Sequence, residues 1–189
     1  IKYTDEGVVN TMKNWKKAID AGCFIDNHQN YSWQEAQPAL INGEAAMYLM
    51  GNFLVPNLPQ ETQDNLDYWQ FPDINPGMDR GEDAPTDLIF MPANAQNKDN
   101  AKKFLEFVAQ AENIETFAGA LKNLPTHKDA ATVDDRFLKK GAKVLAASKT
   151  AQFYDRDTTP EMASAGMQGF QDFMLNPDDM MDILEEIEE

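Results

Sequence analysis

The sequence is poor in the residues that carry out covalent and metal chemistry. Cys23 is the only cysteine among 189 residues, and His28 and His127 are the only histidines. One cysteine excludes an intramolecular disulfide and a cysteine-cluster zinc site. It leaves the compartment open, because a cytosolic protein and a periplasmic protein without bridges look alike by this measure. The two histidines lie far apart in polar loop sequence, form no helical metal pair and fit no motif of a base held by an orienting acid. We read both as surface loop histidines. A phosphate-binding glycine loop, a dinucleotide glycine fingerprint and an EF-hand loop are all absent. Positive charge is also scarce: 16 Lys plus Arg stand against 32 Asp plus Glu, a formal net charge of -16. Such a chain lacks the cationic surface that sequence-independent nucleic-acid binding requires, and it is disfavoured on an anionic membrane leaflet. The longest apolar run, Ala45 to Met50, falls far short of the ~20 residues of a membrane span. Neither a nucleic-acid partner nor direct membrane insertion is expected.

What is present points to a folded chain. The apolar share is 42% and the aromatic share 10%, enough for one large domain or two small ones with a real core. No solenoid-period repeat or low-complexity tract interrupts it. Thr4, followed by Asp5 and Glu6, reads as a helix N-cap with acids in the first turn. Val8, Met12, Trp15 and Ile19 then recur at helical spacing up to Gly22. Ser32 and Glu35 form a capping box for a helix over Trp33 to Asn42, in which Pro38 kinks the early turns or delays the start; Gly43 ends it. Ala45 to Gly51 reads as a short buried strand, Pro56 to Asn65 as a polar connection, Tyr68 to Phe71 as a strand stopped by Pro72. Asp73 to Pro85, holding Pro76, Gly77 and Gly81, reads as an exposed loop, and Leu88 to Met91 as a strand ended by Pro92. Helices follow from Asn97, around Ile114 to Leu121, from Asp134 and Asp135, from Thr159 and Pro160 to about Leu175, and from Asn176 and Pro177 to the end. Strands alternating with more abundant helices give an α/β class.

Several residues could carry chemistry, and each has a plainer reading. Asp79, Glu82 and Asp83 could ligate a hard cation, but the regular ligand spacing is absent and a solvated loop is preferred. Asp155 and Asp157 could suggest a glycosidase, yet carboxylates two apart on one segment do not announce a pair flanking a bond; a hydrogen-bonded cluster around Arg156 fits better. Trp15, Trp33 and Trp69 are read as core before ligand platform, Trp15 most strongly because it lies on its helix's apolar stripe. The ten methionines read as core packing, and Met47, Met50 and Met91 make no copper motif. No cofactor is implied.

The informative stretch is Leu40-Ile41-Asn42-Gly43-Glu44-Ala45-Ala46-Met47-Tyr48-Leu49-Met50-Gly51-Asn52-Phe53. It resembles the helix–Gly–strand–loop signature of the maltose-binding-protein-like family of extracellular solute-binding proteins that serve sugar ABC importers. In that family a Gly-x-Trp follows the strand and its ring stacks on the sugar. Here the corresponding residues are Gly51, Asn52 and Phe53; the phenyl ring keeps a stacking face and lacks the indole donor, which points to a sugar other than maltodextrin. Ala84-Pro85-Thr86-Asp87 before Leu88 to Pro92 resembles a family strand and crossover. Asn97 to Leu105 resembles its "N-K-x-x-A-x-x-F-L" helix start, and Tyr154-Asp155-Arg156-Asp157-Thr158 with Pro160 to Ala163 resembles a segment before a helix at the cleft. Four such segments occur in the family's order.

The resemblance implies a type II periplasmic-binding-protein-like fold and a binding protein that is not an enzyme, at work in the periplasm or outside the cell. It would capture a sugar or oligosaccharide between two lobes and deliver it to an ABC importer permease. Family members are about twice as long, and this chain opens at Ile1 with a "Y-T-D-x-G-V" helix that lies inside the family pattern. The expectation is a C-terminal half whose partner is the N-terminal half of the same protein. Residues 1–92 and 133–189 would then form the C-terminal lobe. Residues 93–132, with Phe104, Leu105 and Val108 on one face, would pack on the other half.

Sugar hydroxyls both donate and accept, so short polar side chains and an aromatic face suit them. The resemblance nominates Asn52, Thr86, Asp87 and Asp157 as hydrogen-bonding residues, Arg156 as a charge-assisted donor and Phe53 as the stacking face. The same residues have structural readings: Asn52 as a strand-end cap, Asp87 as a turn residue, Asp157 as a partner of the following helix N-terminus. Two other classes remain open at this stage, a carbohydrate-active hydrolase using Asp155, Asp157 or Glu161, and a helical protein-interaction domain without a small-molecule ligand.

Overall fold

The computed structural model describes residues 2–75 and 77–189. In chain order the helices and strands are α1 (Glu6–Asp20), α2 (Gln37–Ile41), α3 (Gln60–Asn65), β1 (Gly81–Asp83), α4 (Lys98–Val108), α5 (Ala111–Leu121), α6 (Arg136–Ala146), β2 (Lys149–Ala151), α7 (Tyr154–Asp157), α8 (Pro160–Leu175) and α9 (Met180–Glu188). Single 3-10 turns occupy His28–Asn30, Asn52–Asn57 and Pro177–Asp179. The chain forms two compact units. One takes the chain up to Tyr48 and resumes from Phe153 to Glu189; the other is Leu49–Gln152.

In the first unit, α1 begins one residue later than a Thr4 cap would set it. Asp5 holds the cap position with extended backbone, and its carboxylate accepts the Lys2 N–H at 2.9 Å. Gly22 closes the helix at φ +67, where a side chain would be strained. The Ser32–Glu35 box forms as expected: the Glu35 carboxylate accepts from the Ser32 N–H at 2.9 Å and Ser32 Oγ accepts from the Glu35 N–H at 3.3 Å. The helix after it nevertheless starts only at Gln37. Proline is tolerated only in a first turn, where its missing N–H is an orphan anyway, so Pro38 delays α2.

Thr159 caps α8 by accepting the Met162 N–H at 3.3 Å, with Pro160 at the first helical position. The core joins Met12 of α1, Phe173 of α8 and Ile183, Leu184 and Ile187 of α9; Phe173 and Leu184 are 0% exposed. The Trp15 ring lies 5.2 Å from that of Phe173, so Trp15 packs on the core as its stripe predicts. Two glycines let α8 be approached closely. A methyl group at Gly169 would collide with Ile187, and one at Gly166 with the Tyr154 hydroxyl.

In the second unit, α6 is the organising helix. Asp135 caps it, its carboxylate accepting from the Phe137 and Leu138 N–H groups at 2.8 and 3.0 Å. Phe137 and Leu138 are buried, as are Leu54, Val55 and Leu58 of the 54–58 segment. β1 pairs in parallel with β2, from Gly81 opposite Lys149 to Asp83 opposite Ala151. The Asp73–Pro85 region is therefore not loop throughout; Pro76, read as part of that loop, lies outside the described residues. Pro56–Asn65 is a 3-10 turn running into α3.

Three expected strands are absent among the described residues: 45–51, 68–71 and 88–91 have no ladder. A strand is defined by a partner as much as by its own residues, and these segments find none here. Many of their apolar side chains stand in water as well: Leu88 is 79% exposed, Phe90 78% and Leu49 78%. Trp69, read from sequence as core, is 62% exposed. Alternation explains it: Tyr68 and Gln70 reach inward, Tyr68 Oη donating to the Phe137 carbonyl at 2.9 Å and Gln70 Nε2 to Ser148 Oγ at 2.9 Å, which turns Trp69 and Phe71 the other way. The ten methionines also divide: Met12 is core, while Met47 and Met78 are largely exposed.

Candidate functional site

The six nominated residues occur as three neighbouring pairs. Asn52 and Phe53 begin the Asn52–Asn57 turn, which is pinned into its unit by buried Leu54 and Val55 and braced by Asn57 Nδ2 donating to the Phe53 carbonyl at 2.9 Å. Asn52 is exposed and Phe53 half-buried. The Phe53 ring folds back against Gly51: a Cβ at Gly51 would stand 2.5 Å from ring atom Cε1 and 2.8 Å from Cδ1.

The polar end of Asn52 faces α6 at Gly141. A Cβ there would come 3.5 Å from Asn52 Nδ2 and 3.2 Å from Tyr68 Oη, so the lack of a side chain at Gly141 makes room for both. Burial raises the Tyr68 hydroxyl to a pKa of about 12, with the negative charges of Asp67, Asp135 and Glu82 adding to it. Tyr68 is thus a neutral donor at any physiological pH. Lys140 bonds Asp67 at 2.7 Å and lies 5.1 Å from the Tyr68 ring centre. Arg136 donates to the Gln63 carbonyl and, at 2.6 Å, to that of Leu66. Sequence reasoning missed Tyr68 and Gly141 because their roles arise from contacts across about seventy residues of chain, which no local spacing announces.

Thr86 and Asp87 follow β1 on an exposed stretch. The chain reaches them through Ala84, whose N–H donates to the Ala151 carbonyl at 2.9 Å and extends the β1–β2 pairing by one bond.

Arg156 and Asp157 lie in α7, in the other unit, with both side chains exposed. Their N–H groups donate to the Phe153 carbonyl at 2.9 and 3.0 Å, and the Arg156 guanidinium lies 5.6 Å from the Phe153 ring centre. Tyr154 anchors this turn. Its hydroxyl donates to the Met162 carbonyl at 2.8 Å and accepts from the Tyr3 hydroxyl at 2.5 Å. Burial, then the Tyr154 contact, pushes the Tyr3 hydroxyl well above its ordinary pKa. The Tyr3 N–H donates to the Glu188 carboxylate at 2.6 Å.

The remaining candidates have local roles. Asp79 bonds Lys149 at 2.7 Å, and Glu82 and Asp83 belong to β1. No three His, Cys, Asp or Glu side chains gather to hold a metal among the described residues. The two histidines are half-buried instead of fully at the surface: His28 stands beside the Phe24 ring at 5.4 Å, and His127 Nδ1 accepts the Asp129 N–H at 3.1 Å. No helix among the described residues is long and apolar enough to cross a membrane.

Three comparisons bear on these pairs. The bacterial extracellular solute-binding protein family model matches residues 2–146. An uncharacterized ABC transporter extracellular-binding protein of Pyrococcus horikoshii is 33% identical over 126 residues, 66% of this chain and 28% of that protein. The bacterial solute receptor AcbH, whose exclusive substrate preference is for β-D-galactopyranose, superposes with a TM-score of 0.90 at 28% identity, over 100% of this chain and 50% of the receptor. The chain thus spans half the length of that receptor, and the expected solute-binding fold, in part, is the fold observed. The chain belongs to the bacterial extracellular solute-binding protein family.

Proposed function

We propose that this chain is part of the sugar-binding component of an ABC importer, a receptor that captures a sugar outside the cytoplasm and hands it to a membrane permease. The observation that carries the reading is the family match together with the AcbH likeness, joined to the chemistry of the three pairs. Phe53 offers a ring surface for sugar C–H groups. Asn52, Thr86, Asp87 and Asp157 offer short hydrogen-bonding groups, and Arg156 a charge-assisted donor. A site that satisfies sugar hydroxyls rejects analogues lacking them, because its buried polar groups are then left unpaired. Binding makes and breaks no bond, in keeping with a family of binding proteins.

The rest of a two-lobed receptor is the partner this reading requires. A compact chain of 21.3 kDa exposes about 9,100 Å², and two wholly separate compact units of half that mass about 11,000 Å². This chain exposes 13622 Å². The surplus, roughly 2,600 Å², is the size of one side of an obligate interface or larger. Much of it is apolar: Leu49, Trp69, Phe71, Leu88, Phe90 and Phe104 are all more than half exposed. We assign this surface to the remainder of the receptor. Residues 1–92 and 133–189 then belong to the C-terminal lobe and 93–132 lie against the other half; the compact units divide at different points, after Tyr48 and Gln152.

The test is calorimetry and thermal shift on the full-length protein with a monosaccharide and disaccharide panel that starts from D-galactose. A ligand at ~100 times its dissociation constant adds about 2.7 kcal/mol. A rise in melting temperature with one sugar, lost in Phe53→Ala, is expected. Flat curves across the panel overturn the sugar reading.

A further inference from the structure

Gly51 has an ordinary extended backbone, φ -68 and ψ 159, which any residue adopts without strain. Nothing in its own conformation calls for glycine. The demand comes from its neighbour. A Cβ on Gly51 would stand 2.5, 2.8 and 3.5 Å from Cε1, Cδ1 and Cζ of the Phe53 ring, well inside van der Waals contact. No other atoms crowd that position as closely. The absent side chain at residue 51 is therefore the seat of one edge of the aromatic ring at residue 53. The turn itself is fixed independently of the ring, by buried Leu54 and Val55, by the Leu54 N–H donating to the Gly51 carbonyl at 3.0 Å and by the Asn57 brace. A methyl group at Gly51 would consequently move the ring and leave the turn.

We infer that Gly51 is a positioning residue for ligand binding: it sets the rotamer of Phe53 and so decides where the aromatic surface is presented. The inference rests on the reading of Phe53 as the stacking face and adds a specificity element to it. An aromatic ring held in one rotamer loses little entropy on binding, whereas a ring displaced by a Cβ must first return against a steric penalty. The backbone accepts alanine readily, and Gly to Ala at a compatible φ and ψ lowers the entropy of the unfolded chain. Gly51→Ala is thus expected to fold at least as well as wild type while binding worse, a combination that a merely structural glycine would not produce.

The experiment is a double-mutant cycle on the full-length protein, read by calorimetry with the best-bound sugar of a panel beginning with D-galactose, alongside thermal unfolding without ligand. Gly51→Ala is expected to weaken binding about tenfold with Phe53 present and to change it less than twofold in the Phe53→Ala background, at an unligated melting temperature no lower than that of wild type. Equal losses in both backgrounds, or unchanged affinity in Gly51→Ala, overturn the inference. A second readout does not depend on the ligand. With labelled phenylalanine, the Phe53 ring protons are expected to show nuclear Overhauser contacts to the Gly51 α-protons that disappear in Gly51→Ala. A wild type that binds no sugar overturns the sugar reading, and the ring seat is then judged by those contacts alone: their absence in the wild type overturns it.

Discussion

The two units of this chain spend their apolar residues differently. The unit that runs up to Tyr48 and resumes at Phe153 turns Met12, Phe173, Ile183, Leu184 and Ile187 onto one another and uses two glycines of α8 to bring neighbours close. The Leu49–Gln152 unit buries Leu54, Val55, Leu58, Phe137 and Leu138, yet leaves Trp69, Phe71, Leu88, Ile89 and Phe90 more than half exposed. The first unit closes a core on itself and leaves Met47 and Leu175 more than half exposed. The second keeps a larger set of apolar side chains in water, the surface that the proposed remainder of the receptor would cover. Burying one large apolar side chain contributes about 1.5–3 kcal/mol, so five left in water forgo a sum comparable to the whole stability of an ordinary domain.

The largest expected effect breaks this contrast directly. Phe173→Ala removes a ring that is 0% exposed and should cost about 3–5 kcal/mol in urea unfolding of the full-length protein. Phe90→Ser, at a residue that is 78% exposed, should change the unfolding of the isolated chain by less than about 0.5 kcal/mol. In the full-length protein, where the proposed remainder of the receptor would cover the ring, the same substitution should cost about 2 kcal/mol or more. Equal small effects of Phe90→Ser in both settings would mean that this surface is never buried. Next in size is Gly169→Ala. Alanine is the better helix former by about 1 kcal/mol, yet the new methyl collides with Ile187, and overpacking of this kind costs about 1–3 kcal/mol. A stabilised Gly169→Ala variant would show that α8 and α9 leave room for a methyl group between Gly169 and Ile187.

How far each unit was legible in sequence follows the same division. Signals written within a few residues came through: the Asp135 and Thr159–Pro160 helix starts, the Ser32–Glu35 box, the α1 stripe and the α8–α9 pair. Pro38 shortening α2 was also foreseeable from its missing N–H. The strands did not come through. Apolar runs at 45–51, 68–71 and 88–91 carry the composition of strands, but a ladder needs a partner; β1, inside the acidic loop region that spacing alone marks as solvent, finds its partner β2 far along the chain. The site divides likewise. Asn52 with Phe53, Thr86 with Asp87 and Arg156 with Asp157 were nominated by family motifs and are neighbours in sequence. Tyr68 and Gly141, which hold or flank Asn52, act through contacts distant in sequence and leave no local mark; Tyr154 stands in a family motif, but its bond to Tyr3 spans 151 residues.

A smaller effect sharpens the comparison at the helix starts. The Asp135 carboxylate accepts two N–H bonds at the head of α6, whereas Thr159 accepts one, at 3.3 Å, at the head of α8. Losing a cap costs about 0.5–2 kcal/mol, and bonds to a charged acceptor are the stronger ones. Asp135→Ala should therefore destabilise more than Thr159→Ala in chemical denaturation. The reverse order would place the greater reliance on capping in the unit with the larger internal core.

The smallest effects are those of pH, and they too separate the units. The hydrogen bond from Lys140, then that from the Tyr68 N–H, holds Asp67 below the usual carboxylate range; the Arg80 bond does the same for Asp73 and the Lys139 bond for Asp134. All three lie in the Leu49–Gln152 unit. A carboxylate whose pKa is lower in the folded state binds fewer protons folded than unfolded, so its contribution is present above the ordinary carboxylate pKa and disappears as pH falls through the folded value. In the other unit Glu35 alone is held low in this way among the groups with a resolved shift, by the Ser32 N–H and hydroxyl. These pairs are exposed and screened by salt, so the acid-side loss should be shallow, but amide exchange below about pH 4 should rise first in α6 and the 60–68 segment and later in α8 and α9. At the alkaline end Tyr68, raised to about 12, contributes while it is protonated; that contribution is whole below the ordinary tyrosine value near 10 and is lost as pH climbs through about 12. Tyr68→Phe should abolish this alkaline loss around α6 and leave the acid-side behaviour unchanged. Were α8 and α9 to open first on the acid side, the carboxylate pairs of the second unit would carry none of its stability, and the contrast between the units would rest on apolar burial alone.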